Sequence, residues 1–273
     1  DKTSIPVFVN RDYKIPGFVN KRTFFIASSY SGNTEETIAA LKEAQTRNSF
    51  IFCICSGGDL LEIAKKNKYN YILIPSGGAP RAMLCYSMIQ ILYLISMINN
   101  LSTESLKQEL KEVQNYLILE KDSIIQLAIN SVNTIGDKMP FIYTFPEFEG
   151  VAIRFKQQLN ENSKTHATYN LIPEMNHNEI VGWNSNNICV IPIFLNGNTS
   201  DRNKQRMNIN IQQINKFVND IIELRADTDS YLTQYFYFIH LVDWISLFLA
   251  EKKNIDPNEI KSIDYLKESL NKL

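Results

Sequence analysis

The sequence predicts an α/β protein made of two tandem α/β sandwich domains with parallel sheets, and three observations carry that expectation. Short β-rich runs alternate with longer helical patterns, as in βαβ units wound about a parallel sheet. The alternation occurs twice, on either side of two long helical segments. No short-period repeat or low-complexity linker interrupts it. The 273 residues, 44% hydrophobic and 21% charged, suffice for two modest domains with cores of their own.

In chain order, the apolar run Thr23-Phe-Phe-Ile-Ala27 marks a strand over Arg22–Ser28, and an amphipathic stretch marks a helix over Glu35–Arg47. A second pair follows, strand Ser49–Cys55 and helix Leu60–Lys68, and then strand Tyr71–Pro75. Ile5–Tyr13 reads as one more strand of the first domain. Pro80 is a first-turn signal for a helix over Pro80–Asn99. Its apolar stretch, Ala82 to Ile98, is interrupted by Ser87, Gln90 and Ser96; it is too short and too polar for a membrane span and reads as a buried helix. Leu106, Leu110, Val113 and Leu117 recur at helical spacing within a long helix over Thr103–Asp137. The join falls near Ser131–Pro140, giving domains 1–135 and 136–273. Strands Phe141–Phe145, Ala167–Ile172, Ile188–Leu195 and Asp220–Ala226 then alternate with helices Gly150–Glu161, Lys204–Val218 and Ser230–Lys252.

A net charge of −1 and a pI near 6.4 supply no basic field for nucleic acid, so small-molecule chemistry is favoured. Four cysteines, at 53, 55, 85 and 189, lack the paired spacing of a zinc site, and three scattered histidines make no metal cluster. There is no disulfide framework and no signal peptide ahead of the first strand, so a cytoplasmic location is expected.

The segment Ser28-Ser-Tyr-Ser-Gly-Asn-Thr-Glu-Glu-Thr37, between a strand and a helix start, is the strongest chemical signal. Ser29, Ser31 and Thr34 offer hydroxyl donors, Gly32 permits close backbone approach, and the open N–H groups of a first helical turn favour an anion. Phosphate is the implied ligand. A plainer reading has the hydroxyls cap the helix, with Glu35 or Glu36 completing a capping box. Arg81 follows Pro80 at a helix start, where a fixed guanidinium can stabilise negative charge on an oxyanion; the alternative is an ordinary surface arginine. His177 sits between Asn176 and Asn178 and precedes Glu179, so a neighbouring polar group is placed to hold its ring in one tautomer. His166 and His240 have no such setting. Glu161 ends a helical pattern and Lys267 lies near the C-terminus; by composition alone both are solvated surface charges.

Ser29 to Thr37 is similar to the phosphosugar loop of sugar isomerase (SIS) domains, and the block Glu174-Met-Asn-His-Asn-Glu-Ile-Val-Gly-Trp183 narrows the match. Ala79-Pro-Arg81, Asn160-Glu-Asn162 and Asp264-Tyr-Leu-Lys267 fall in a matching order. Nearly the whole chain thus resembles the bifunctional phosphoglucose/phosphomannose isomerase family. The resemblance implies two tandem SIS domains that interconvert glucose 6-phosphate or mannose 6-phosphate with fructose 6-phosphate through a cis-enediol, without a metal or other cofactor. It makes Glu161 the base that moves the proton between C2 and C1, and His177 the acid/base of ring opening. Lys267 contacts substrate hydroxyls or phosphate, and Arg81 faces the enediolate. It also implies a homodimer with shared active sites, His177 being the donated group. Family members usually open with a strand and a Gly-Gly-Ser loop; nothing like it lies upstream of Asp1, so the first domain is expected to lack that segment. The rival reading is a non-catalytic SIS regulatory protein that binds sugar phosphates.

Overall fold

The computed structural model describes residues 3–184, 189–270 and 272. The chain divides into two compact units, Asp1–Lys107 and Gln108–Leu273.

Unit 1 is built on a parallel three-stranded sheet in the order β1 (Phe24–Ser28), β2 (Phe50–Cys55), β3 (Asn70–Leu73). Registers run from Phe24 opposite Phe50 to Ser28 opposite Ile54, and from Phe52 opposite Asn70 to Cys55 opposite Leu73. Because side chains alternate across a strand, β2 serves two cores. Ile51, Cys53 and Cys55 pack with Ala40, Leu41 and Ala44 of α1 (Glu35–Thr46) and Leu60 and Ala64 of α2 (Gly58–Asn67). Ile54 and Phe52 face the other way, onto Leu94 and Ile91 of α3 (Leu84–Ile98). Each fully buried Leu or Ile contributes about 1.5–3 kcal/mol of hydrophobic stabilisation. A 3-10 turn, Pro80–Met83, leads into α3.

Two expectations for unit 1 are corrected. Residues 5–13 form no strand: Pro6 interrupts any ladder, and Val7, Phe8 and Val9 are exposed. Nor is the apolar Pro80–Asn99 helix buried. Leu94 is the one buried residue of α3, because a three-stranded sheet covers only one side of it, and Tyr86 and Met97 are exposed.

In unit 2 the sheet is also parallel, in the order β5 (Thr168–Leu171), β4 (Met139–Thr144), β6 (Val190–Asn196), β7 (Ile222–Arg225). The expected strand start at Ile188 lies outside the described residues. The chain moves outward from β4 to β5 and returns to β6, the reversal that opens a crevice at the carboxyl ends of strands in such sheets. Phe141, Tyr143 and Phe194 pack with Met207, Ile211 and Ile214 of α7 (Asp201–Ile214). α8 (Tyr231–Lys252) packs against α6 (Glu149–Ser163) and α5 (Lys121–Ile135). By length and composition two of the described helices, Tyr231–Lys252 and, against the expectation that its stretch is too short and too polar, Pro80–Ile98, are apolar enough to cross a membrane; 61% of the first one's apolar window is buried inside the protein, as in a core helix.

The expected helix over Thr103–Asp137 is two helices, α4 (Thr103–Leu119) and α5, meeting at Glu120. α4 buries only Val113, whereas α5 buries Ile124, Ala128, Ser131, Val132 and Ile135; the two serve different surfaces, and one straight rod does not satisfy both. The packing boundary at Lys107 and Gln108 accordingly precedes the sequence join expected at 135 and 136. A last helix, α9 (Lys261–Leu270), has no buried residue.

Candidate functional site

The anion loop sits at the carboxyl end of β1, where a parallel strand hands the chain to the start of α1. Ser29 is 6% exposed, its amide donating to Ile54 O at 3.0 Å on the neighbouring strand. Its Oγ lies 2.8 Å from Thr34 Oγ1 and accepts from the Gly32 amide at 3.1 Å. Ser31 Oγ accepts from the Asn33 amide at 3.2 Å. A hydroxyl has one proton and two lone pairs, so in the Ser29–Thr34 pair one proton remains to be given outward, and that of Ser31 is another. Thr34 occupies the N-cap of α1, but its side chain makes no cap bond, so the first-turn amides stay open to an anion. The capping reading therefore does not describe this loop. Glu35 is turned aside, accepting from Tyr13 OH at 3.2 Å.

Gly32 has φ +74°, and a Cβ there would meet Gly57 O at 1.8 Å; the loops after β1 and β2 touch backbone to backbone. Tyr30 extends the lacing. Its carbonyl accepts from the Ser56 amide at 2.9 Å and Ser56 Oγ at 2.7 Å, and its phenol oxygen accepts from the Gly78 amide at 3.0 Å. Gly78 lies two residues before Pro80, so Tyr30 ties the hydroxyl loop to the segment that presents Arg81 at the 3-10 turn. Arg81 is half-buried. Tyr30, Ser56 and Gly57 were not singled out by sequence; the doublet Gly57-Gly58 between strand and helix patterns was the available signal.

In unit 2, Glu161 is half-buried near the end of α6, just before Lys164 closes that helix at φ 50°. A polar seam fixes α6 against α8. Arg154 Nε and Nη2 donate to Asp243 Oδ1 and Oδ2 at 2.9 and 2.6 Å, Gln158 Nε2 donates to Asp243 Oδ1 at 2.9 Å, and Asn162 Nδ2 donates to Ser246 Oγ at 2.8 Å. Arg154, Gln158 and Asn162 stand one turn apart each, so the seam runs along the face of α6 next to Glu161.

His177 ends a 3-10 turn, Glu174–His177, and is exposed; Glu179 opens the next turn, Glu179–Gly182. None of the neighbouring polar groups Asn176, Asn178 and Glu179, one of which was expected to hold the His177 ring, bonds to it. Glu179 instead accepts from Tyr143 OH and Asn170 Nδ2, each at 2.6 Å. Burial, then the Glu179 bond, pushes the Tyr143 phenol far above its ordinary range, keeping it a donor. Lys267 is exposed on α9. Ser29, Ser31, Thr34 and Arg81 thus belong to strand-end loops of unit 1, whereas Glu161, His177 and Lys267 stand on three separate elements of unit 2. Among the described residues no cluster of three or more His, Cys, Asp or Glu is placed to hold a metal.

The family model described as "Bacterial phospho-glucose isomerase C-terminal SIS domain" matches residues 125–270. A bifunctional phosphoglucose/phosphomannose isomerase from Caldicellulosiruptor bescii is 38% identical over 99% of this chain and 83% of its own length. One from Aquifex aeolicus is 35% identical over 98% of this chain and 82% of its own. Among solved structures, tagatose-6-phosphate ketose/aldose isomerase from Escherichia coli superposes with a TM-score of 0.68 over 89% of this chain and 73% of that one at 13% identity, a likeness of fold alone.

Proposed function

The chain belongs to the bifunctional phosphoglucose/phosphomannose isomerase family, and we infer from that premise that it is an aldose–ketose isomerase interconverting glucose 6-phosphate and mannose 6-phosphate with fructose 6-phosphate. The observation that carries this reading in the structure is the uncapped start of α1 beneath the hydroxyls of Ser29, Ser31 and Thr34, a site shaped for a phosphate monoester.

With the phosphate held there, the chemistry is proton transfer. His177 opens the sugar ring by moving a proton between the ring oxygen and the C1 hydroxyl. Glu161 removes the C2 proton from the open-chain aldose and delivers it to C1, the enediol lying between. Arg81 stabilises charge on the enediolate oxygens, and Lys267 contacts hydroxyls or phosphate. Rotation about C2–C3 presents either face of the planar enediol to the same carboxylate, so both C2 epimers reach one intermediate. The division into modules 1–135 and 136–273, a homodimer with shared sites and a cytoplasmic setting belong to the same reading, supported by the family resemblance.

Coupled turnover of glucose 6-phosphate and mannose 6-phosphate tests it. Both are expected to yield fructose 6-phosphate. Binding of sugar phosphates with no turnover of either would replace the isomerase by a sugar-phosphate-binding regulatory module.

A further inference from the structure

We propose that Glu179 is a positioning residue for His177: with Tyr143 and Asn170 it bolts the His177 turn to the sheet, so that the imidazole is presented from a fixed backbone while its ring bonds none of the described residues. The inference rests on the ring-opening role given above to His177.

Tyr143 on β4 and Asn170 on β5 are register partners across the parallel pair. Register partners project to the same face, so their two donors lie side by side and take one carboxylate oxygen each. A carboxylate gripped through both oxygens loses rotation about its last bond as well as translation. The anchor is itself held. Tyr143 is fully buried, its hydroxyl accepts from Trp183 Nε1 at 3.0 Å, and Trp183 stacks edge-on against Phe141 and Tyr143. Asn170 Oδ1 accepts from the Leu171 amide at 2.8 Å, which fixes the amide so that Nδ2 points at Glu179.

The other neighbours of His177 are also fastened. Asn176 Nδ2 donates to Asn210 Oδ1 of α7 at 2.6 Å, and Asn178 Nδ2 donates to Glu174 Oε1 at 3.1 Å. The ring of His177 has no hydrogen-bond partner among the described residues. An exposed ring unbonded to any described residue, on a fastened base, fits a group that must exchange protons with two substrate oxygens in turn; a ring locked to Glu179 would have one nitrogen spent. Asn170 lies seven residues upstream of His177 and Tyr143 in another strand, which hides the clamp from the sequence motif.

The test compares Glu179→Gln and Tyr143→Phe with His177→Ala on two substrates. One is glucose 6-phosphate, which is mostly cyclic. The other is a four-carbon aldose 4-phosphate, which cannot close a ring because its terminal hydroxyl is esterified. Glu179→Gln keeps one acceptor oxygen for the two donors Tyr143 OH and Asn170 Nδ2, so one arm of the clamp is lost, and is expected to lower kcat on the cyclic substrate by between about ten-fold and a hundred-fold, with KM and the tetrose rate nearly unchanged. Tyr143→Phe is expected to act in the same direction, more weakly. Equal loss on both substrates, or no loss on the cyclic one, overturns the inference. Histidine-labelled protein gives a readout independent of catalysis: the His177 ring resonance, identified by its loss in His177→Ala, should broaden or split in Glu179→Gln. An unmoved resonance overturns the clamp whatever the kinetics show. If His177→Ala itself shows no preference between substrates, it is the ring-opening role that fails, and the resonance alone decides the clamp.

Discussion

Gly32 has the least latitude of any residue in the anion loop, since an alanine there would need a left-handed backbone and would drive its Cβ into Gly57 O. Gly32→Ala is expected to cost about 1–3 kcal/mol and to abolish binding of inorganic phosphate, read by thermal melting and calorimetric titration. At the proposed reaction centre, Glu161→Gln should remove isomerisation of cyclic and open-chain substrates alike, by at least about a hundred-fold, whereas His177→Ala should spare an open-chain substrate. Cys53 gives a pH prediction. Burial pushes its thiol up to about 12, so the folded state holds that proton where an unfolded chain, with its ordinary thiol value of 9.0, releases it. Stability from this group is complete below the ordinary value and is lost as pH rises toward about 12. Cys53→Ala should flatten that alkaline loss in urea melts at pH 8 and 10.5, and Cys53 should resist thiol labelling until the protein unfolds. Ser29, Ser31 and Thr34 are legible as a candidate set because one continuous loop carries them. The Tyr30 contacts were not, because they join the ends of three strands, and strand order is not written locally.

Among the elements, the α6–α8 pair depends most on polar chemistry. Asp243 accepts from both Arg154 and Gln158, so Asp243→Ala removes the one carboxylate that links Arg154 Nε and Nη2 and Gln158 Nε2 across the seam. A loss of about 2–3 kcal/mol is expected, and Asp243→Asn, which keeps one acceptor, should lose less; chemical denaturation measures both. Activity should fall with Asp243→Ala even under conditions where the variant is folded, since the seam joins α6 to α8 within one turn of Glu161, the proposed base. Periodicity located both halves' strands and helices to within a few residues, because apolar spacing reports which face of an element is buried. It failed where burial was absent or divided. Ile5–Tyr13 has a strand's composition but no partner, α9 buries nothing, and the continuous pattern through Glu120 concealed a change of packing surface.

For the whole molecule, the parallel α/β class followed from alternation alone, and the family from five short blocks spread along the chain. Oligomer geometry is the part that sequence supplied only by resemblance. If each site takes His177 from the partner subunit, mixing inactive Glu161→Gln and His177→Ala proteins under exchanging conditions should restore about a quarter of wild-type activity: half the dimers are mixed, and one of the two sites in each is intact. No recovery would place both residues in one subunit's site. Turnover should also survive a chelator, because a carboxylate base needs no Lewis acid to form the enediol. The Tyr30 lacing has a thermodynamic corollary. With three strand-end loops already held by the Ser56 and Gly78 bonds, an arriving phosphate freezes little chain, and its association should carry a small conformational-entropy penalty. Tyr30→Phe, which frees Gly78 while leaving the hydroxyls of Ser29, Ser31 and Thr34 in place, should weaken phosphate binding almost entirely through a more unfavourable −TΔS, a signature separable by calorimetry from the loss of a direct contact.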